Sequence, residues 1–393
     1  MTGHADYDVI VIGAGIHGVG VAQAAAAAGH RVLVLEQSSI ASGTSSRSSK
    51  LIHGGLRYLE QFRLGLVREC LAERETLLRI APDLVKLRPF LIPLYRSSRR
   101  RPWKVRAGLS LYALLGGLKP NQRFSRVAVS ERTMSDGLRR DGLRAVFRYQ
   151  DAQTDDALLT RAVMASAASL GAEILEAACF LDTEVHADGC DIRYRQNGRT
   201  TQLRARTLVN AAGPWATRVA MKITPHAPQP AVELVQGAHI LLSEPLVHGI
   251  YYLEAPQDQR AVFVMPWREQ TLVGTTETPF TQAEPEKAAP TAEEIAYLQT
   301  VVAHYFPAAR PSLIGAFAGL RVLPGGNERA FGRSREMQLV TDAGKPTRVM
   351  HLYGGKLTSY RADAQRALEK LRNALPERHR HADTRQLPLR PVE

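Results

Sequence analysis

Cysteine is scarce: Cys70, Cys179 and Cys190 are the only three in 393 residues. They are odd in number, far apart, and never spaced as CxxC. That argues against a disulfide framework or a metal site and fits a reducing compartment. The first eight residues carry no basic segment ahead of an apolar run, so no secretory signal is read there. Acidic residues are missing from one whole region. Between Leu84 and Ser130 there are eleven Lys and Arg and no Asp or Glu. In the same region the longest charge-free apolar stretch, Ala107–Leu118, falls well short of the roughly 20 residues needed to cross a bilayer. Elsewhere 40 cations (51 less those 11) face 38 acids, so the net charge of +13 is one local feature. A basic band without a recognisable binding motif argues for an anion-facing surface and against nucleic acid. Apolar and charged shares of 45% and 23% are those of a globular chain, and the length suits two or three domains.

What is present begins at the N-terminus. Asp8-Val9-Ile10-Val11-Ile12 reads as a strand buried on both faces. Gly13-Ala14-Gly15-Ile16-His17-Gly18 follows, then an Ala-rich helix over Val19–Ala28 stopped by Gly29. A second strand, Arg31–Leu35, ends at Glu36. In a strand–GxGxxG–helix–strand–acid unit, Gly13 permits the tight turn and Gly15 lets backbone approach a diphosphate. Gly18 lets helix and strand pack closely. The helix N-terminus offers free N–H groups and positive dipole to that diphosphate. Glu36 is placed for a ribose hydroxyl, which favours NAD or FAD over NADP.

Seven serines and Thr44 lie between Ser38 and Ser49. The plain reading is a surface loop; the functional one is a set of hydroxyls and N–H groups tracking a diphosphate and a ribityl chain. NAD has no ribityl chain, so the second reading favours FAD. Ser48-Ser49-Lys50-Leu51-Ile52-His53-Gly54-Gly55-Leu56-Arg57-Tyr58-Leu59-Glu60 comes next, with paired glycines that permit close backbone approach to a flat ligand.

This segment resembles the hallmark of the flavin-dependent, quinone-linked glycerol-3-phosphate dehydrogenases. So do Thr207–Trp215, Gln236–Ile240, Phe263–Trp267, Gly274-Thr275-Thr276-Glu277, Gly319-Leu320-Arg321 and Tyr353–Arg361. Val322 stands where that family has Pro, and Glu277 where it has Asp. Family members continue into a further C-terminal helical domain, and the resemblance leads to the expectation of a member without it. The resemblance implies an α/β fold. A Rossmann-like FAD-binding domain joins a discontinuous antiparallel-sheet substrate domain, of the glutathione-reductase or D-amino-acid-oxidase-like type. It implies oxidation of sn-glycerol 3-phosphate to dihydroxyacetone phosphate, with electrons passing to ubiquinone or menaquinone. FAD contacts are expected from Gly13, Gly15, His17, Gly18, Glu36, Thr44, Ser45, Ser46, Ser48, Ser49, His53, Gly54, Ala212, Gly213, Trp215, Gly355, Lys356, Leu357 and Thr358.

Each motif has a physical counterpart. Gly354-Gly355 ahead of a helix over Ser359–Leu371 makes an electropositive nest, which stabilises the anionic edge of a reduced flavin. A small dianion needs about two or three cationic or N–H partners. Arg57, Arg321 and Lys356 are the candidates, with Tyr58 as a hydrogen-bonding neighbour, although any single Arg is more often a solvated charge. Removing an alcohol proton calls for a base of pKa near 7. His53 and His239 are the candidates, each against the plain reading of a core histidine satisfied by a neighbour.

The basic stretch 86–126 interleaves Arg96, Arg99, Arg100, Arg101, Lys104 and Arg106 with Phe90, Tyr95 and Trp103. That is a pattern for contact with an anionic membrane surface; the alternative is a solvated face packing its apolar side inward. The expected division places 1–80, 146–225 and 315–393 in the FAD domain. Residues 81–145 and 226–314 form the substrate domain, with strands over Ala261–Pro266 and Thr271–Gly274 and a helix over Ala292–Phe306. The location expected is cytoplasmic, peripheral on the inner face of the cytoplasmic membrane, with a homo-oligomer left open. The other readings are an oxidase or dehydrogenase of a 2-hydroxy acid or amino acid, and a catalytically silent flavin-binding protein.

Overall fold

The computed structural model describes residues 5–128, 136–326 and 336–392. The segments 1–4, 129–135 and 327–335 and residue 393, all within the expected domain spans, lie outside the described residues. Two large sheets organise the chain. In the first, the apolar strand Tyr7–Ile12 runs parallel between Val32–Leu35 and Arg199–Asn210. Glu173–Leu175 extends the parallel array on one side and Val349–Tyr353 on the other. Strands buried on both faces must be apolar throughout, and Val9–Val11 and Val32–Leu35 are almost wholly withdrawn from solvent.

The helices Ile16–Ala27, Asp156–Ser169 and Tyr360–Leu371 cover one face through a shared core of Val19, Ala22, Leu159, Val163, Tyr360 and Ala364. Alanines let the first helix lie close to its neighbours. Gly20 is closer still: a Cβ there would stand 2.9 Å from the Tyr360 ring. Asp155 caps the second helix by accepting from the N–H groups of Ala157 and Leu158, which satisfies two otherwise orphaned donors.

The second sheet is mostly antiparallel. Its core is formed by Val85–Tyr95, Leu143–Thr154, Ile250–Glu254, Ala261–Trp267, Gln270–Gly274, Val232–Leu242 and Leu313–Pro324. Side-chain alternation splits it into two faces. Leu91, Tyr251, Val262 and Val264 pack under the helix Ala292–Tyr305. That helix starts with a reciprocal Thr291/Glu294 capping box. Phe90, Ile92, Phe147, Tyr149 and Ile250 turn the other way, toward the helices Leu64–Ile80 and Pro102–Leu115. The strands Leu143–Thr154 and Leu313–Pro324 lie in this sheet along their whole length. The divisions expected at 146 and 315 therefore fall inside strands: a sheet edge recruits the entire extended segment.

The basic stretch is not one exposed band. Residues 86–95 belong to a central strand, and the helix Pro102–Leu115 turns Val105, Leu109, Tyr112 and Ala113 inward. Arg100 is pinned by Glu60 at 2.5 Å and Glu254 at 2.7 Å. Trp103, Leu114 and Leu118 remain exposed. Among the described residues no helix is long and apolar enough to cross a membrane.

A Cβ at Gly18 would stand 1.9 Å from the Gly13 carbonyl oxygen, whereas one at Gly65 meets nothing within 4 Å. Gly18→Ala should therefore cost about 2 kcal/mol or more by overpacking against backbone. Gly65→Ala, in the first turn of a helix, should gain, by less than the roughly 1 kcal/mol of a helix interior. Denaturant midpoints of the two variants check both signs.

Candidate active site

A cavity of about 480 Å³ opens between the two sheets, within the size range of cofactor and substrate sites. The turn after the first strand forms one end. Gly13 has φ +99°, a conformation glycine adopts without strain. A Cβ on it would lie 2.9 Å from the Ala211 carbonyl oxygen. The Ile16 N–H at the helix start donates to Ser45 Oγ at 2.9 Å. Glu36 accepts from the N–H groups of Ala14 and Ser38, both at 2.8 Å. Two donors thus fix its carboxylate at the cavity wall with acceptor capacity left over.

Thr44, Ser45, Ser48 and Ser49 follow along the cavity, as do His17, Ala212, Gly213, Trp215, Gly355, Leu357 and Thr358. Three expected residues do not line it. Gly18 is closed against Gly13, and Ser46 Oγ turns back to the Gly43 carbonyl. Gly54 packs against Leu71, its N–H held at 2.8 Å by Tyr112 Oη. Tyr112 in turn donates to Asp151, which also pairs with the buried Arg74. The inward face of the basic helix thus anchors the paired glycines. His17 reaches toward Asp363, with Nε2 3.4 Å from the carboxylate. Burial would raise that carboxyl, but the nearby His17 and the Ser359 hydroxyl, which donates to it at 2.8 Å, hold it below its usual range.

The cations converge at the other end. Arg57 lies with Cζ 4.9 Å from the Tyr58 ring centre, and Lys356 Nζ lies 4.1 Å from the same centre. Lys356 also contacts Cys70 Sγ at 3.8 Å. Arg321 donates to Thr275 Oγ1 at 2.8 Å and stands 3.7 Å from Glu277. Burial pushes the Arg321 pKa down; Glu277 opposes that shift and the Arg57 charge adds to it. An Arg so placed stays protonated. Like charges gathered in a partly desolvated pocket favour an anion between them.

The two histidines part company. The His53 N–H donates to Thr358 Oγ1 at 3.1 Å, tying the glycine-rich segment to the last turn, and the residue lines the cavity. His239 is only 1% exposed. It stacks on Phe317 at 5.0 Å and bonds Ser49 Oγ through Nε2 at 2.9 Å. Burial, with Arg321 and Lys50 nearby, lowers its pKa to about 3. So weak a base is poorly matched to proton abstraction near neutrality, and His239 holds the Ser49 hydroxyl instead. Lys50 is a buried member of the same group, bonded to Asp156 at 2.5 Å and facing Trp267 and Phe317. Sequence reasoning did not single out Lys50 as a functional residue, nor the cavity-lining Tyr149, Asp151, Tyr252 and Arg260. For Tyr149, Asp151 and Tyr252 strand alternation was the only signal, and it does not say which face meets a cavity; Lys50 and Arg260 sit just before strands, where no local pattern marks them.

The glycine cradle, the N–H-rich helix start and the elongated serine-lined cavity fit a dinucleotide bearing a flat ring. The family model of FAD-dependent oxidoreductases matches residues 8–361. D-erythritol 1-phosphate dehydrogenase from Brucella abortus is 36% identical over 94% of this chain and 74% of its own length. Glycerol-3-phosphate dehydrogenase from Pseudomonas aeruginosa is 38% identical over 93% of this chain and 71% of its own. Among solved structures, the glycerol-3-phosphate dehydrogenase from Bacillus halodurans complexed with FAD superposes with a TM-score of 0.73 at 24% identity. That match covers 98% of this chain and 67% of the other.

The depressed His239 pKa carries a stability consequence. Below about 6.5 the unfolded chain takes up a proton that the native ring refuses down to about 3. Stability therefore falls on acidification through that window, by at most about 1.4 kcal/mol per pH unit for this one group. His239→Gln should make the slope of unfolding free energy between pH 6.5 and 4.5 shallower by up to one proton. An unchanged slope would mean the ring is not held neutral.

Proposed function

The chain belongs to the FAD-dependent oxidoreductase family, and on that premise we propose that it oxidises the secondary alcohol of a phosphorylated polyol, sn-glycerol 3-phosphate foremost. The carrying observation is the convergence of Arg57, Arg321 and Lys356 on one end of the cavity. Arg57 and Arg321 supply planar forks matched to phosphate oxygens, and Lys356 adds a point charge. FAD, when bound, supplies the hydride acceptor for the carbon being oxidised. Gly13, Gly15 and the start of the helix Ile16–Ala27 would hold its diphosphate, and Glu36 its ribose. The Gly354-Gly355 nest and the turn Leu357–Ser359 would help to hold its ring and stabilise negative charge on it. His53 is the residue to take the alcohol proton in this reading, since it lines the cavity and its backbone is fixed by Thr358. The 36% identical relative named for D-erythritol 1-phosphate supports a polyol phosphate as the substrate class.

The electrons go on to a membrane quinone in this reading. The outer face of the helix Pro102–Leu115 and its flanks supply the contact. Arg99, Arg101, Lys104 and Arg106 are exposed there, as are Trp103, Leu114 and Leu118, with Lys104 over the Trp103 ring. Cations beside apolar and aromatic side chains suit an anionic bilayer surface, on the inner face of the cytoplasmic membrane.

Anaerobic mixing of the purified yellow holoenzyme with a substrate panel tests the assignment. Glycerol 3-phosphate or erythritol phosphate should bleach the flavin band. Bleaching by 2-hydroxyglutarate or an amino acid alone would replace the assignment, and bleaching by none would mark a silent flavoprotein. Arg321→Ala should raise KM for glycerol 3-phosphate by roughly 10- to 100-fold, the loss of a charge-assisted contact, with FAD content retained. Equal loss of both would make Arg321 structural. Replacing Arg99, Arg101 and Lys104 with Ser should weaken sedimentation with anionic vesicles roughly a hundredfold. Unaltered sedimentation would remove this face as the anchor.

A further inference from the structure

Four neighbouring strands of the second sheet present one aromatic wall to the cavity. Tyr149 stands opposite Phe90 across one strand pair, and Tyr252 opposite Phe263 across another. The rings touch in sequence: Phe90 and Tyr149 at 5.2 Å, Phe90 and Phe263 at 6.2 Å, Tyr252 and Phe263 at 5.3 Å. All four line the cavity. Tyr251, one residue along, points the other way and packs on Phe306.

Buried tyrosines of this fold usually spend their hydroxyls on the protein, as expected of a polar tip taken out of water. Tyr112 donates to Asp151, Tyr251 to Asp136, Tyr95 to the Arg139 carbonyl and Tyr305 to the Glu254 carbonyl. Tyr149 and Tyr252 depart from that pattern. Tyr149 is only 4% exposed, yet neither hydroxyl hydrogen-bonds to another of the described residues. Tyr252 lies near Arg57, and the ring contacts through Phe263 and Phe90 carry the wall on to Tyr149. Asp151 lies beside Tyr149, with its two oxygens already taken by Arg74 and Tyr112.

We propose that Tyr149 and Tyr252 form a second subsite, which binds the carbon-chain hydroxyl of the substrate at the end away from its phosphate. This rests on the phosphorylated-polyol reading above. A phenol both gives and accepts a hydrogen bond, as an alcohol does, so the pair matches a neutral polyol tail. Burial keeps both phenols protonated, and each lies within electrostatic reach of charged neighbours: Asp151 for Tyr149, Arg57 and Arg100 for Tyr252. The cations then grip the phosphate and the phenols the other end, which orients the central carbon.

Propane-1,2-diol 1-phosphate isolates the contact, because it keeps the phosphate and the secondary alcohol and lacks only the terminal hydroxyl. With the holoenzyme, kcat/KM for glycerol 3-phosphate should exceed that for the diol phosphate by roughly tenfold or more. Tyr149→Phe and Tyr252→Phe should each shrink that ratio severalfold, and the double variant should bring it near one. Competitive inhibition by inorganic phosphate and the bound FAD per chain should stay unchanged. A ratio unmoved in both variants overturns the subsite, as does phosphate inhibition that weakens in parallel. Should the wild type oxidise neither phosphorylated compound, the substrate reading itself fails and takes the subsite with it. Should it oxidise both equally, only the subsite fails.

Discussion

Positive charge held at short range against positive charge is the constraint on which this molecule turns. Arg57 and Lys356 share a single tyrosine ring, and the Arg57 charge weighs on Arg321. Such a group is costly in a pocket withdrawn from water unless acids and aromatic faces offset it. Glu277 offsets part at 3.7 Å from Arg321, and the Tyr58 ring another part. A doubly charged ligand would relieve the remainder, and that relief is the source of affinity for the phosphate ester proposed as substrate.

The fold keeps those charges in place from several directions. Arg57 and Tyr58 ride on the short helix Leu56–Gln61, and just ahead of its Gly55 cap the Gly54 N–H is held by Tyr112 from the helix Pro102–Leu115. Lys356 precedes the last helix of the first sheet's layer, and Arg321 projects from a strand of the second sheet. No single element owns the site. Ties between elements do the positioning: Thr358 to His53, Thr275 to Arg321, and the buried Arg74–Asp151–Tyr112 chain. Each satisfies polar groups that would otherwise be stranded in the interior.

The dinucleotide unit was legible because its signals are local. An apolar run, three glycines at fixed spacing and an acid after the next strand all act within one supersecondary motif. The helix over Tyr360–Leu371 was legible for the same reason. His239 was not, since its neutrality comes from burial against Phe317 and Gly274 on other strands, with Arg321 and Lys50 nearby: a Cβ at Gly274 would stand 2.0 Å from its ring. The basic stretch showed its charge but not its inward face, because Tyr112 finds its partner Asp151 only through tertiary contact. Strand alternation also left open which face of the second sheet meets the cavity, and so concealed Tyr149 and Tyr252.

A crystal structure of the FAD-loaded protein soaked with inorganic phosphate tests the central claim most directly. The anion should lie within about 3.2 Å of nitrogen atoms from Arg57, Arg321 and Lys356 together, the range of charge-assisted hydrogen bonds. Phosphate bound elsewhere, or those three side chains turned away from a common centre, would contradict it.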